Sequence, residues 1–422
     1  MPEARTTTPL SQYCDANTQS LGRETPSDFR FRYVDLSSVN LGKIDWQKTR
    51  ALTYASSPSR ARRVVKPGDV LFSTVRPGLM GHAMVRAPSD LPLIGSTGFA
   101  VLSPKEGADG RFLFHSLFLD EFKRQLAQFE VGSNYPAINE SDLLRVKLGA
   151  VDGSSQSLIA DILDAIDDAI LETDAVIEKL RTIHVGIVDD LLTHGLADDG
   201  SPREPSSLAE TKVGPRPATW TVANLGHFVV GAEYGTNLSL DDSSAGIPVL
   251  RMNNIQDGEF DLSNMKFAPA RAVERFRLQR NDVLFNRTNS WEHVGKAAIW
   301  RRDEPGPAFA SYLVRLHCGD ELLPEFLHLW LNWAPVQRAI RQFATPGVQQ
   351  VNINPTNLRR ALIAVPDGLD EQRAIIERVN GVAAAIEDHR RERAKLSSLR
   401  EGLRDDLLTG RKPVVAIREA AE

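Results

Sequence analysis

Apolar positions follow two rhythms along this chain, and the same change of rhythm happens twice. Up to about residue 150 they come in short runs broken by Gly, Pro, Asn and Ser. "DVLFSTV" (69–75) and "LIGSTGFAVL" (93–102) read as buried strands opened by turns, and "RFLFHSLFLDEFKRQLAQF" (111–129) reads as helix. Then the period lengthens. Ile159, Leu163, Ile166, Ile170, Ile177, Leu180, Ile187 and Leu191 stand four and three apart, with Thr173 and His184 filling the gaps. A stripe of that spacing predicts one long helix buried along another helix. Short runs return in "DVLFNRT" (282–288), "FASYLVRLHC" (309–318) and the helical "PEFLHLWLNWAPVQRAIRQF" (324–343). A second ladder follows at Ile375, Val379, Val382, Ile386, Leu396, Leu403 and Leu407, interrupted by His389, Arg393 and Arg400. Neither seam is perfect alone, so the simplest partner for each helix is the other. Residues 156–193 as one helix would be about 57 Å long. Gly195 and Gly410 suit the left-handed residue that ends such helices.

The doubled rhythm carries doubled letters. "DDLLT" occurs at 189–193 and again at 405–409. At the same offset Gln156 meets Gln372, Ile159 meets Ile375 and Leu180 meets Leu396. Upstream, "GSNYPAIN" (132–139) meets "GVQQVNIN" (347–354), "GDVLFST" (68–74) meets "NDVLFNR" (281–287), and "GHA" at Gly81 meets "GKA" at Gly295. Ordered matches with a nearly constant offset indicate a duplication. The reading is an α/β (α+β) chain with an internal pseudo-twofold repeat. Globular blocks at 1–150 and 219–366 are each followed by a long helix, at 151–195 and 367–412. A Pro-, Gly-, Ser- and acid-rich linker occupies 196–218, and 413–422 forms a loose tail.

Composition removes several classes. No apolar run is long enough to span a bilayer, the N-terminus lacks a signal-peptide core, and Cys14 and Cys318 read as thiols of a reducing cytoplasm. The net charge of −5 hides a segregation: Lys+Arg against Asp+Glu is 19 to 15 over 1–150, 3 to 14 over 151–210, 17 to 14 over 211–366 and 11 to 12 beyond. Two mildly basic blocks flank a strongly acidic one. That is either a solvated acidic helix face or a division of labour, with the blocks meeting a polyanion and the acidic segment facing something else.

Catalytic patterns are missing. There is no phosphate loop and no nucleophile elbow, "NPT" at 354–356 is not a base-methylating motif, and the carboxylates of "PDGLDEQR" (366–373) stand too close together for a metal-dependent nuclease. His184 and His389 are seam fillers. Two loop motifs remain in each block. Asn139 and Asn354 are N-caps, with Pro355 at the first helical position. The loops ahead of them either close the domain or present Asn134 and Tyr135, or Gln349 and Gln350, to a ligand; Asn and Gln suit adenine edges. "FSTVRPGLMGHA" (72–83) offers Arg76 and His82, and "FNRTNSWEHVGKA" (285–297) offers Arg287, Asn289, His293 and Lys296. These are solvated loops, or their Arg and Lys bind phosphates. The basic run "SRARRVVK" (59–66), with Arg63 and Lys66, is a weaker candidate. A structural alternative is a coiled-coil adaptor whose two domains bind protein.

With "DEQRAII…LRDDLLTG" (370–410), "FNRTNS" (285–290) and "GSTGFAVL" (95–102), the chain resembles the specificity subunit of type I restriction–modification systems over almost its whole length. The first helix departs by ending "LLTHG", and the first loop by reading Phe-Ser-Thr-Val-Arg. The resemblance implies a non-catalytic, cytoplasmic DNA reader with two target-recognition domains separated by two long antiparallel coiled-coil helices. Each domain reads one half of a split, asymmetric duplex target, and half-sites met from one face lie about one turn apart. The helices bind two copies of a DNA adenine methyltransferase subunit, and a motor–nuclease subunit joins. S-adenosylmethionine, ATP and Mg²⁺ belong to those partners; this chain binds no cofactor or metal. Residues shared by the copies, such as Asp69/Asp282, Phe72/Phe285, Gly81/Gly295 and Asn139/Asn354, cannot specify two different half-sites. Base readers are expected where the copies differ, at 76/289 and 134–135/349–350 and in 40–66 and 253–280. Asp189, Asp190, Asp405 and Asp406 are expected to serve assembly.

Overall fold

The computed structural model describes residues 7–86, 89–132, 135–243, 245–347 and 350–414. Among them no helix is long and apolar enough to cross a membrane. The chain forms two compact units, one of residues 1–175 with 390–422 and one of 176–389. Two long helices, Gly153–His194 and Leu369–Leu408, therefore each contribute one half to either unit. The expected ladders thus fall on continuous helices. Gly195 and Gly410, both at φ 64°, stand just beyond their ends.

In the first unit a four-stranded antiparallel sheet runs in the order Cys14–Ala16, Phe99–Pro104, Val70–Ser73, Ala83–Met84. A second sheet orders Arg50–Thr53, Arg30–Val34, Leu93–Ser96 and Ala61–Val65, with Leu93–Ser96 parallel to Arg30–Val34. "LIGSTGFAVL" is thus divided between the two sheets. The strand Val70–Ser73 is buried throughout, which is why its sequence runs apolar instead of alternating. Its entry turn places Gly68 at φ 93°, where a side chain would be strained, and the Asp69 carboxylate accepts from the Lys66 amide at 2.8 Å.

The second unit repeats this plan. Its antiparallel sheet runs Val229–Tyr234, Leu313–Cys318, Val283–Asn286, Ala297–Ile299. A three-stranded sheet orders Lys266–Ala268, Ile247–Leu250 and Ala308–Phe309, again with one parallel pair. Asn281 takes the place of Gly68 at φ 70°, and Asp282 accepts from the Gln279 amide at 2.7 Å. Asparagine is the side chain that best tolerates this conformation. Burial raises the carboxyl pKa of both Asp69 and Asp282.

Each core is sealed by the end of the helix that began in the other unit. Leu407, Leu408 and Val414 join Phe72, Phe112 and Phe122 in the first unit. Leu191, Leu192 and Leu196 join Phe285, Phe326 and Trp330 in the second. Each helix start is latched by a buried glutamine. Gln156 accepts from the Asp109 amide at 3.0 Å and donates to the Val151 carbonyl at 2.8 Å. Gln372 accepts from the Leu323 amide and donates to the Glu321 carbonyl, both at 2.9 Å. Within the first unit Arg400 donates to Asp167 at 3.0 Å and Arg393 to Asp174 at 2.9 Å. One number rises as the other falls, so the helices run antiparallel there. Arg86 and Arg111 add ion pairs to Asp164 and Asp161, so part of the acidic face is met by arginine of its own chain.

Two boundaries are corrected. Residues 196–218, expected as a linker, are folded onto the second unit: Leu208–Ala209 pairs with Arg216–Pro217, Leu196 and Arg216 are buried, and Arg203 forms an ion pair with Glu371. Glu371 also accepts from the Leu196 amide at 2.8 Å and the Trp220 indole at 3.1 Å. The polar composition there marks turns, many of them exposed, that a few buried residues tie to the unit. The tail expected from 413 begins inside the first core, because Val414 is buried in it; 415–422 lie outside the described residues.

Candidate nucleic-acid interface

The fold brings each unit's two loop motifs together. In the first unit the chain leaves Val70–Ser73 and Val75 bridges to Ala137, which also bridges to Val131. The Arg76 amide donates to the Pro136 carbonyl at 2.7 Å. In the second unit Thr288–Asn289 pairs with Val351–Ile353, which pairs with Ala344–Pro346. Segments about 60 residues apart in sequence thus share one junction in each unit, at equivalent positions.

In the first unit the junction carries Arg76 and Tyr135. The guanidinium lies over the exposed phenol ring, 4.0 Å from its centroid. Arg76 is held at φ 48°, and a short 3₁₀ turn, Pro77–Leu79, separates it from Met80 at φ 55°. Asn134 lies outside the described residues. His82 does not belong to the interface. It is fully buried, stacked on Phe72 at 4.1 Å, and its Nδ1 accepts from the Ser73 amide at 3.1 Å. Burial pushes its pKa down to about 3, so it is a neutral core residue. Arg63 is not in an exposed run either. It is a half-buried residue of the strand Ala61–Val65, between Gly95 and Ser20. Lys66, just beyond that strand, is exposed.

In the second unit the junction gathers Asn289 and Gln350 around Met252. The Asn289 amide donates to the Met252 carbonyl at 3.3 Å, and the Gln350 amide nitrogen lies 3.7 Å from its sulfur. Gln349 lies outside the described residues. Arg287 is pinned: it donates to the Ser311 carbonyl at 3.3 Å and to Asn352 at 3.0 Å, and lies over the Tyr234 ring at 5.2 Å. Lys296 faces Asp257 at 3.9 Å instead. Sequence reasoning missed Tyr234, Met252, Asn352 and the exposed Tyr312 and Trp291. Of these, Asn352 and Trp291 stood inside the quoted loop motifs; Tyr234, Met252 and Tyr312 come from other strands and turns.

The four aspartates at the helix ends all have partners within the chain. Asp189 accepts from the Trp333 indole at 2.9 Å, and Asp190 bonds His194 at 2.7 Å. Asp406 pairs with Lys412 at 3.0 Å and Arg411 at 3.5 Å, and Asp405 lies 3.9 Å from Arg411. The leucines after them are core. The shared positions serve the scaffold: Phe72 and Phe285 are fully buried, and Asn139 and Asn354 cap their helices by accepting from the Asp142 and Thr356 amides.

Comparison with known proteins gives the class. Residues 42–181 match the family model of the type I restriction modification DNA specificity domain. The chain is 22% identical over 359 residues to the specificity subunit of the type I restriction enzyme EcoKI of Escherichia coli K12, covering 83% of this chain and 75% of that one. It is 25% identical over 210 residues to a putative MjaX specificity subunit of Methanocaldococcus jannaschii, and that match spans about half, 48%, of each. A chain solved in work on complex assembly and conformational transition of the type I R-M system shares the fold, with TM-score 0.61, 21% identity and coverage of 97% and 99%. So does the S subunit of the type I system of M. genitalium, with TM-score 0.56, 12% identity and 96% of each chain. Residues 42–181 thus carry the type I restriction modification DNA specificity domain, and most of the chain is similar to type I specificity subunits.

Proposed function

We propose that the chain reads a bipartite, asymmetric DNA target and does no chemistry itself. Each unit reads one half-site through its junction of loops, on two target-recognition domains related by an internal pseudo-twofold repeat. The observation that carries this reading is the pairing of like scaffold with unlike side chains. Equivalent strand orders present Arg76 and Tyr135 in one unit and Asn289 and Gln350 in the other. A repeated scaffold with divergent tips suits a target whose halves differ. The antiparallel helices act as the coiled-coil spacer. Asp189, Asp190, Asp405 and Asp406 then hold the helix ends in the shape that two methyltransferase subunits meet. Those partners supply S-adenosylmethionine, and a motor–nuclease subunit supplies ATP- and Mg²⁺-dependent cleavage.

Co-expression with the methyltransferase of its own system, followed by methylome sequencing, tests this. A split adenine-methylated motif is expected. Replacing residues 1–150 with those of another specificity subunit changes one half only; a change in both halves, or in neither, refutes the assignment of halves to units. DNA retention by the complex should fall steeply with salt, as phosphate contacts require.

A further inference from the structure

We propose that Arg76 specifies a guanine in the half-site read by the first unit, and that Tyr135 holds its guanidinium in place for that contact. The inference rests on the DNA-reading function above and assigns one residue to one base.

Three independent observations carry it. The first is position. Counting from the buried Phe72 and Phe285, Arg76 matches Asn289; counting from the caps Asn139 and Asn354, Tyr135 matches Gln350. Both divergences fall at the junction, while the position two residues before Arg76 keeps its job. The Thr74 hydroxyl donates to the Gly98 carbonyl at 2.9 Å, and its match Arg287 donates to the matching carbonyl of Ser311. Arg287 is therefore scaffold, and the arginine free to read is Arg76.

The second is backbone conformation. Arg76 is a non-glycine residue held at φ 48°, in the left-handed region that side chains disfavour. The Pro136 carbonyl and the bridge to Ala137 hold Arg76 there. Strain kept by surrounding contacts concentrates at sites that bind.

The third is the state of the guanidinium. Among the described residues it makes no hydrogen bond to protein, whereas both terminal nitrogens of Arg287 are used. The Tyr135 ring, 67% exposed, lies 4.0 Å from the guanidinium carbon, and no described residue takes up its N–H groups. Those groups match the O6 and N7 acceptors of guanine in the major groove. Pre-stacking lowers the entropy lost when the long side chain is fixed.

The test is Arg76→Asn in the full chain with its methyltransferase, read by methylome sequencing. Asparagine is the residue the other unit uses at this position and it tolerates the left-handed backbone, so folding should survive; a thermal melt checks that. One guanine in one half of the motif should lose its preference by on the order of tenfold or more, and the other half should be unchanged. Tyr135→Ala should weaken preference at the same base, and Tyr135→Phe should keep it. An unaltered motif with uniformly weaker methylation and a smaller salt dependence would make Arg76 a phosphate contact and overturn the assignment. If the unsubstituted complex yields no split motif, the DNA-reading function itself fails, and the assignment with it.

Discussion

The most informative single residues are buried polar ones. Gln156 and Gln372 each tie a helix start to backbone groups of a globular domain, and both are almost or fully inaccessible to solvent. Truncating either leaves buried amides and carbonyls without partners. Gln372→Ala should cost about 3 kcal/mol and Gln156→Ala about 2 kcal/mol, measured by chemical denaturation. Two other buried groups fix a pH dependence. Burial pushes His82 down to about 3 and His328 to about 4, against 6.5 when free. Both fold neutral, so the unfolded chain takes up protons first as pH falls. Stability is intact above about 6.5 and declines below it, by up to about 1.4 kcal/mol per pH unit for each histidine, until the folded pKa is reached. His82→Asn, which keeps an acceptor for the Ser73 amide, should flatten the stability–pH curve between pH 6.5 and 4.5 by one proton; an unchanged slope refutes the account. Sequence alone placed His82 in a polar loop, because a histidine there gives no sign that its ring lies on Phe72. It did pick the caps, the turn aspartates and the buried phenylalanines, whose roles are local.

At the level of elements, period carried most of the information. The 4-3 ladders gave both long helices, since a helix stripe is written in the spacing of its own residues. What spacing could not give was which stretches between elements are ordered. Residues 196–218 are rich in the residues that make turns, and turns can be buried as well as solvated. Arg216 is covered by Trp330 and Trp333, and Arg203 by its pairing with Glu371. The basic run around Arg63 misled for the related reason that charge is visible in sequence and strand pairing is not. The direction of the helix pair can be tested through Asp167 and Arg400, both largely shielded from solvent. Asp167→Arg or Arg400→Asp alone should destabilise by about 1–2 kcal/mol, and the double exchange should recover part of that loss in a double-mutant cycle. No recovery would mean the pair contributes nothing to register.

For the whole molecule, the decisive fact is that cores and sequence halves do not coincide. The last helix ends inside the core of the first unit, where Leu407, Leu408 and Val414 lie against residues such as Leu10 and Phe112. Removing residues 396–422 should therefore loosen residues 7–150 far more than 219–366, a contrast that hydrogen exchange along the chain would measure directly. Matched letters pointed to a repeat, but they could not show this exchange of helix ends, because "DDLLT" looks the same whichever core receives it. It has a bearing on how the protein is made. Chains emerge from the ribosome in order, and domains usually close as they appear. The first globular block here is synthesised early, yet the leucines that complete it come some 250 residues later. Through most of synthesis it must wait with an open apolar face, while the second block, whose sealing leucines precede it in the chain, can close as soon as its own strands are out.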